Sequence, residues 1–113
     1  MTRTMFRHAV GLSAAALLLL SGQALADEPI SYDQASLLAS TCFACHGTDG
    51  RKEGNFAPIA GRPYESLKAQ LMAFKNDQIP GTTVMNRLTA GYSEAELDAI
   101  ALYLSGITDR RRD

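Results

Sequence analysis

The sequence predicts an all-α fold: a small domain of three main helices. Three observations carry that expectation. Three segments place apolar residues on one helical face, with the i, i+3, i+4, i+7 period complete in two of them. Two of the segments open with a capping box, and none shows the alternation of a half-buried strand. Between the first and second lies Cys42-Phe43-Ala44-Cys45-His46, and C-x-x-C-H is the spacing of covalent c-type haem attachment.

The first helix is expected to begin at Ser31. Ser31 and Gln34 form a capping-box pair behind Ile30, and Ala35, Leu38, Ala39 and Cys42 then share one face. This puts the haem motif at the end of the first helix, with Cys42 on the buried side. Gly47, Asp49 and Gly50 break the helix. Residues 47–62, GTDGRKEGNFAPIAGR, read as a loop. The second helix is expected from Pro63, a favoured first-turn residue. Leu67, Leu71 and Phe74 line one face of it, and it ends near 76–78. Residues 78–92, QIPGTTVMNRLTAGY, read as a second loop, because Pro80, Gly81 and the β-branched run Thr82-Thr83-Val84 disfavour helix. Ser93 and Glu96 cap the third helix, whose face is Leu97, Ile100, Ala101 and Leu104, with Gly106 as its stop. Residues 107–113 read as a charged tail.

The N-terminal residues carry the marks of a targeting segment. Arg3 and Arg7 supply the positive region, and Val10–Leu20 is apolar apart from Gly11 and Ser13. Ala24-Leu25-Ala26 gives the small-x-small pattern at which a signal is cut. The expectation is a cleaved signal peptide over 1–26, a domain over 27–113, and a periplasmic location without stable membrane insertion after cleavage. The apolar run is shorter than the ~20 residues a span needs; a retained anchor is the alternative. Removing Arg3 and Arg7 from eleven basic side chains leaves nine against twelve acidic ones, a net charge of −3. A nucleic-acid partner is not expected, since it wants a basic face.

With His8 in the leader, His46 is the one histidine of the expected mature chain. A second imidazole on the iron is therefore excluded within a monomer. A Cys/His zinc finger also fails, because Cys42, Cys45 and His46 supply only three of four ligands. A sixth ligand from the protein falls to sulfur or lysine, and after cleavage Met72 and Met85 remain. Met72 lies about 140° round the second helix from Leu67. Met85 lies in the loop and is the favoured ligand; the other reading makes it a core plug and leaves the iron five-coordinate. A ligating histidine donates its second ring N–H to a carbonyl or carboxylate. The Pro58 carbonyl is the candidate acceptor, unless Pro58 only shapes its loop. Arg62, Tyr64, Asn86 and Arg87 are candidates for the haem propionates, and each reads equally well as a surface residue. Tyr103 reads as packing.

A haem with two protein ligands passes single electrons and has no open site for substrate. The expectation is an electron carrier or subunit with no substrate chemistry of its own. Two other classes stay open here. A dithiol redox protein would use Cys42 and Cys45 directly, but that motif belongs with a βαβ pattern. A haem enzyme or ligand sensor would need Met85 absent from the iron.

CFACHGTDG, APIAGRPY, a middle helix with QL, and Met85 before a capped last helix together resemble a class I c-type cytochrome across nearly all of residues 27–113. The resemblance implies a class I cytochrome c-like domain with one covalent haem c. It implies His46 and Met85 as axial ligands and Pro58 as the partner of the histidine. The run FKNDQIPGTTVMNRLTAGYSEAELDAIALYL is further similar to the cytochrome subunit of flavocytochrome c sulfide dehydrogenase. In that family an FAD flavoprotein oxidises sulfide and passes electrons to haem, which passes them to a soluble acceptor. The best-known form of that subunit has two haem domains, whereas this chain has one haem motif. A free-standing cytochrome shuttling between respiratory complexes is the alternative.

Overall fold

The computed structural model describes residues 28–51 and 56–108. The expected signal peptide, 1–26, and the Arg110–Arg112 tail lie outside the described residues. Among those residues the chain forms five α-helices and no strand: α1 Tyr32–Ser40, α2 Phe43–His46, α3 Tyr64–Lys75, α4 Met85–Ala90 and α5 Glu94–Ser105. None is long and apolar enough to cross a membrane.

Both expected capping boxes form. The Ser31 hydroxyl accepts from the Gln34 N–H while the Gln34 side chain accepts from the Ser31 N–H. Ser93 and Glu96 repeat the arrangement at the start of α5. Each box satisfies two donors that a helix start leaves without partners.

The haem motif straddles a break instead of ending the first helix. Ser40 and Thr41 turn their hydroxyls back to the carbonyls of Leu37 and Leu38. Such local bonds compete with the helical ladder. The Cys42 N–H then reaches three residues back, to Ala39, and a new turn begins in which the His46 N–H reaches Cys42. Pro63 is the cap of α3 and not its first helical residue; its ψ of 133° is extended. The second expected loop is helical at its end, and Met85 is the first residue of α4.

The core is built on α5. Leu97, Ile100, Ala101 and Leu104 are buried and meet Leu67 and Leu71 of α3 and Ala39 of α1. Ala39 and Ala101 have no exposed surface; their small side chains let α1 and α5 pack closely. Tyr103 packs as expected: its ring lies 5.1 Å from that of Tyr32, and its hydroxyl accepts from Ser36. Three helices thus form a frame, and α2 and α4 are set around its open side.

Candidate functional site

A cleft of about 240 Å³ opens on that side. One wall is Thr41, Cys42, Cys45 and His46, from the α1–α2 junction and α2. A second comes from α4 and its flanks: Val84, Met85, Leu88, Thr89 and Tyr92. Leu67, Gln70, Leu71 and Phe74 of α3 form a third, and Leu97, Ile100 and Leu104 of α5 lie at the base. The faces read from the sequence for the second and third expected helices therefore meet at one place with Cys42 of the first, and that place is mostly apolar.

His46 Nδ1 lies 2.6 Å from the Ala57 carbonyl oxygen. A carbonyl only accepts, so Nδ1 carries the proton and donates. In the neutral ring Nε2 then keeps its lone pair, the form a metal takes. The acceptor is Ala57 and not Pro58, whose side chain is exposed and does not line the cleft. Pro58 acts one residue back: a residue before proline is restricted to extended backbone, and Ala57 is that residue. The Phe56 ring stands edge-on to the imidazole at 6.1 Å.

Cys42 and Cys45 are both free thiols on the same wall. Burial pushes the Cys42 thiol above its usual range, with a partial offset from the Thr41 hydroxyl. Cys45 is exposed.

Met85 is half-buried and lines the cleft; Met72 packs against the core and does not. A short helix, not an irregular loop, carries Met85. The buried Thr89 hydroxyl donates back to the Met85 carbonyl at 2.8 Å and supports that turn from within.

Of the four candidates for propionates, Arg62 alone lines the cleft, where it donates to Gln70 at 3.0 Å. Tyr64 is committed elsewhere. Its hydroxyl donates to Asp98 at 2.5 Å, and Lys68 completes the cluster at 2.6 Å from Asp98. Lys68 holds the Asp98 carboxyl below its usual range, with help from Tyr64, and Asp98 in turn raises the Lys68 ammonium. Asn86 donates to Asp77, and Arg87 is exposed; neither lines the cleft.

Sequence reasoning missed Gln70, Thr41, Thr89 and Tyr92 as parts of the site. Gln70 was within reach, since it follows Leu67 by three and shares its face. Thr41 and Tyr92 meet through hydroxyls 2.5 Å apart, across 51 residues of chain. No local pattern signals such a contact.

The residues present fit a covalently attached haem. Two thiols three apart share a wall with an imidazole whose outer nitrogen is already fixed. A thioether faces the same cleft from another element, apolar side chains surround the space, and one guanidinium suits a carboxylate. A model of the cytochrome c family matches residues 34–108. The chain is 32% identical over 108 residues to the cytochrome subunit of sulfide dehydrogenase from Chlorobaculum tepidum, covering 88% of this chain and 97% of that protein. It is 32% identical over 89 residues to cytochrome c-552 of Acidithiobacillus ferridurans, covering 76% of this chain and 35% of that protein. It is 29% identical over 80 residues to cytochrome c-554(547) of Halothiobacillus neapolitanus, covering 62% of this chain and 88% of that protein.

Proposed function

This chain belongs to the cytochrome c family, and from that premise we propose that it is the periplasmic cytochrome subunit of a flavocytochrome c sulfide dehydrogenase. Family membership makes it an electron-transfer protein with a covalently bound haem c, and one haem suits a domain of this size. Within the proposal Cys42 and Cys45 would anchor the haem through thioether bonds, and His46 and Met85 would hold its iron.

Bound haem supplies a one-electron iron couple. The chain's own residues set its properties. Ala57 fixes the tautomer and orientation of His46 and makes Nε2 the better donor. As a ligand, the Met85 sulfur would favour reduced iron and raise the potential. With His46 and Met85 both holding the iron, oxygen or substrate would find no open position. Leu67, Leu71, Phe74, Leu97, Ile100 and Leu104 exclude water. Arg62, held by Gln70 at the cleft, would pair with the haem propionates.

In this role the subunit takes electrons one at a time from an FAD flavoprotein and passes them to a soluble acceptor. Sulfide is oxidised on the flavoprotein, not here. The observation that carries the reading is the match to the Chlorobaculum tepidum subunit over 97% of its length. The second reading is a free-standing carrier, which a single cytochrome c domain of this size also suits.

Mild purification of the tagged protein from its native host separates the two. Flavin and haem co-eluting in fixed ratio, with the flavin on a second and larger polypeptide, is the expected result. Haem alone on a monomer overturns the subunit assignment and leaves the free carrier.

A further inference from the structure

Tyr92 is fastened at three atoms. Its N–H donates to the Thr89 carbonyl at 3.1 Å, which ties it to the end of α4. Its carbonyl accepts from the Lys75 ammonium at 2.5 Å, at the end of α3. Its hydroxyl meets the Thr41 hydroxyl at 2.5 Å, across the cleft.

The last bond has a direction. The Thr41 hydroxyl also lies 3.1 Å from the Leu38 carbonyl, where it can only donate. A threonine hydroxyl has one proton. Thr41 therefore accepts from Tyr92, and the chain of bonds runs from Tyr92 through Thr41 to Leu38.

We propose that Tyr92 is a positioning residue for the electron-transfer centre: its hydroxyl, donated to Thr41, latches the Met85 wall of the cleft to the residue preceding Cys42. The inference rests on the axial-ligand reading of His46 and Met85. It adds the question of what keeps the methionine wall closed.

The observations make that wall the part in need of holding. α4 has six residues, and its start has no side-chain cap. A helix that short has little stability of its own. Thr89 secures α4 to itself. The Tyr92 hydroxyl secures the segment to the wall that carries the haem-anchoring cysteines. Any opening that draws Met85 away from that wall must stretch or break this bond.

Titration of the ferric protein with imidazole, followed in the visible spectrum, tests the latch. Exogenous imidazole enters only where the methionine has left, so its apparent affinity reports the open fraction. Loss of one neutral hydrogen bond shifts such an equilibrium by roughly two- to tenfold. Tyr92→Phe and Thr41→Val are each expected to raise the apparent affinity by about that factor. The double variant is expected to add little beyond either single one, because the two residues share one bond. Thr41→Ser keeps the hydroxyl and is expected to restore the wild-type affinity. Met85→Ala sets the value for a fully open site.

Wild-type imidazole affinity in both Tyr92→Phe and Thr41→Val, with tighter binding in Met85→Ala, overturns the latch and leaves the axial ligands standing. A lowered unfolding midpoint without a change in imidazole affinity does the same, since it marks a purely structural bond. Imidazole binding to the wild type as tight as to Met85→Ala overturns the axial-ligand reading, and the latch with it. Should Tyr92→Phe not fold, Thr41→Val and Thr41→Ser carry the test alone.

Discussion

His46 Nδ1 donates to the Ala57 carbonyl oxygen at 2.6 Å, and the segment that presents this carbonyl is held in turn by Gly50. The Gly50 carbonyl accepts from the N–H groups of both Ile59 and Ala60, at 2.8 and 3.1 Å. Gly50 has φ +70°, and a Cβ there would fall 2.6 Å from Ile59 Cγ1. The backbone after the haem motif thus sets the tautomer and aim of its histidine.

Replacing Gly50 with Ala is expected to push Ile59 outward and carry Ala57 with it. Strain at a positive φ and overpacking together give a cost of about 1–3 kcal/mol. Weakening the bond to Ala57 makes the imidazole a poorer donor to oxidised iron. The reduction potential is therefore expected to rise while stability falls. A denaturant melt and a redox titration check both; a stability loss with an unmoved potential would show that Gly50 supports the fold but not the histidine.

Replacing Met85 with Ala is expected to remove the thioether and open the iron to added ligands. Axial-ligand identity moves haem potentials across about 0.8 V. A fall on the order of 100 mV or more is a modest share of that range. An unchanged spectrum and potential would return Met85 to packing. Met72 is a poor substitute, since it sits against the core and away from the cleft.

Replacing Cys42 and Cys45 with Ser is expected to let haem dissociate under denaturing conditions, because no covalent bond to the chain remains. Haem retained on the denatured chain would sink the attachment. The two thiols also differ before attachment. Burial raises Cys42, while Cys45 is exposed. Since the thiolate is the reactive form, an alkylating reagent is expected to label Cys45 of the haem-free protein first, and peptide mapping reads the order.

Much of this architecture was legible because its signals are local. Ser31 with Gln34 and Ser93 with Glu96 marked two helix starts by side-chain chemistry four residues wide. Leu97, Ile100, Ala101 and Leu104 marked a buried face by period alone. C-x-x-C-H named its cofactor without any structure. What stayed hidden is set by neighbours far along the chain. α4 has no cap and too few turns to show a period, and the β-branched run before it argues against helix. Its turn is closed by Thr89, and Tyr92 just beyond it is tied to Lys75 and Thr41, 17 and 51 residues away. The Ala57 carbonyl was misassigned to Pro58 because the proline is conspicuous in sequence, whereas a carbonyl's aim appears only in three dimensions. Tyr64 looked available for a propionate until Asp98 of α5 was seen to take its hydroxyl.

That Tyr64–Asp98–Lys68 cluster gives a prediction that separates fold from site. Replacing Tyr64 with Phe removes a donor to Asp98 that does not line the haem cleft. Spectrum and reduction potential are expected to stay at wild-type values. Stability is expected to fall slightly near neutral pH, since the cluster is partly exposed and water screens it. The pH dependence has a definite sign. Asp98 is lowered from 3.8 in the folded chain, by Lys68 first and Tyr64 second. A depressed carboxyl stabilises the fold above its unfolded value and loses that contribution as pH falls through the folded one. The stability difference between wild type and Tyr64→Phe should therefore be present above about pH 3.8 and shrink below it. Thermal melts across that range, with the visible spectrum recorded in parallel, test both halves. A shifted potential in the Tyr64→Phe protein would place the hydroxyl in contact with the haem after all.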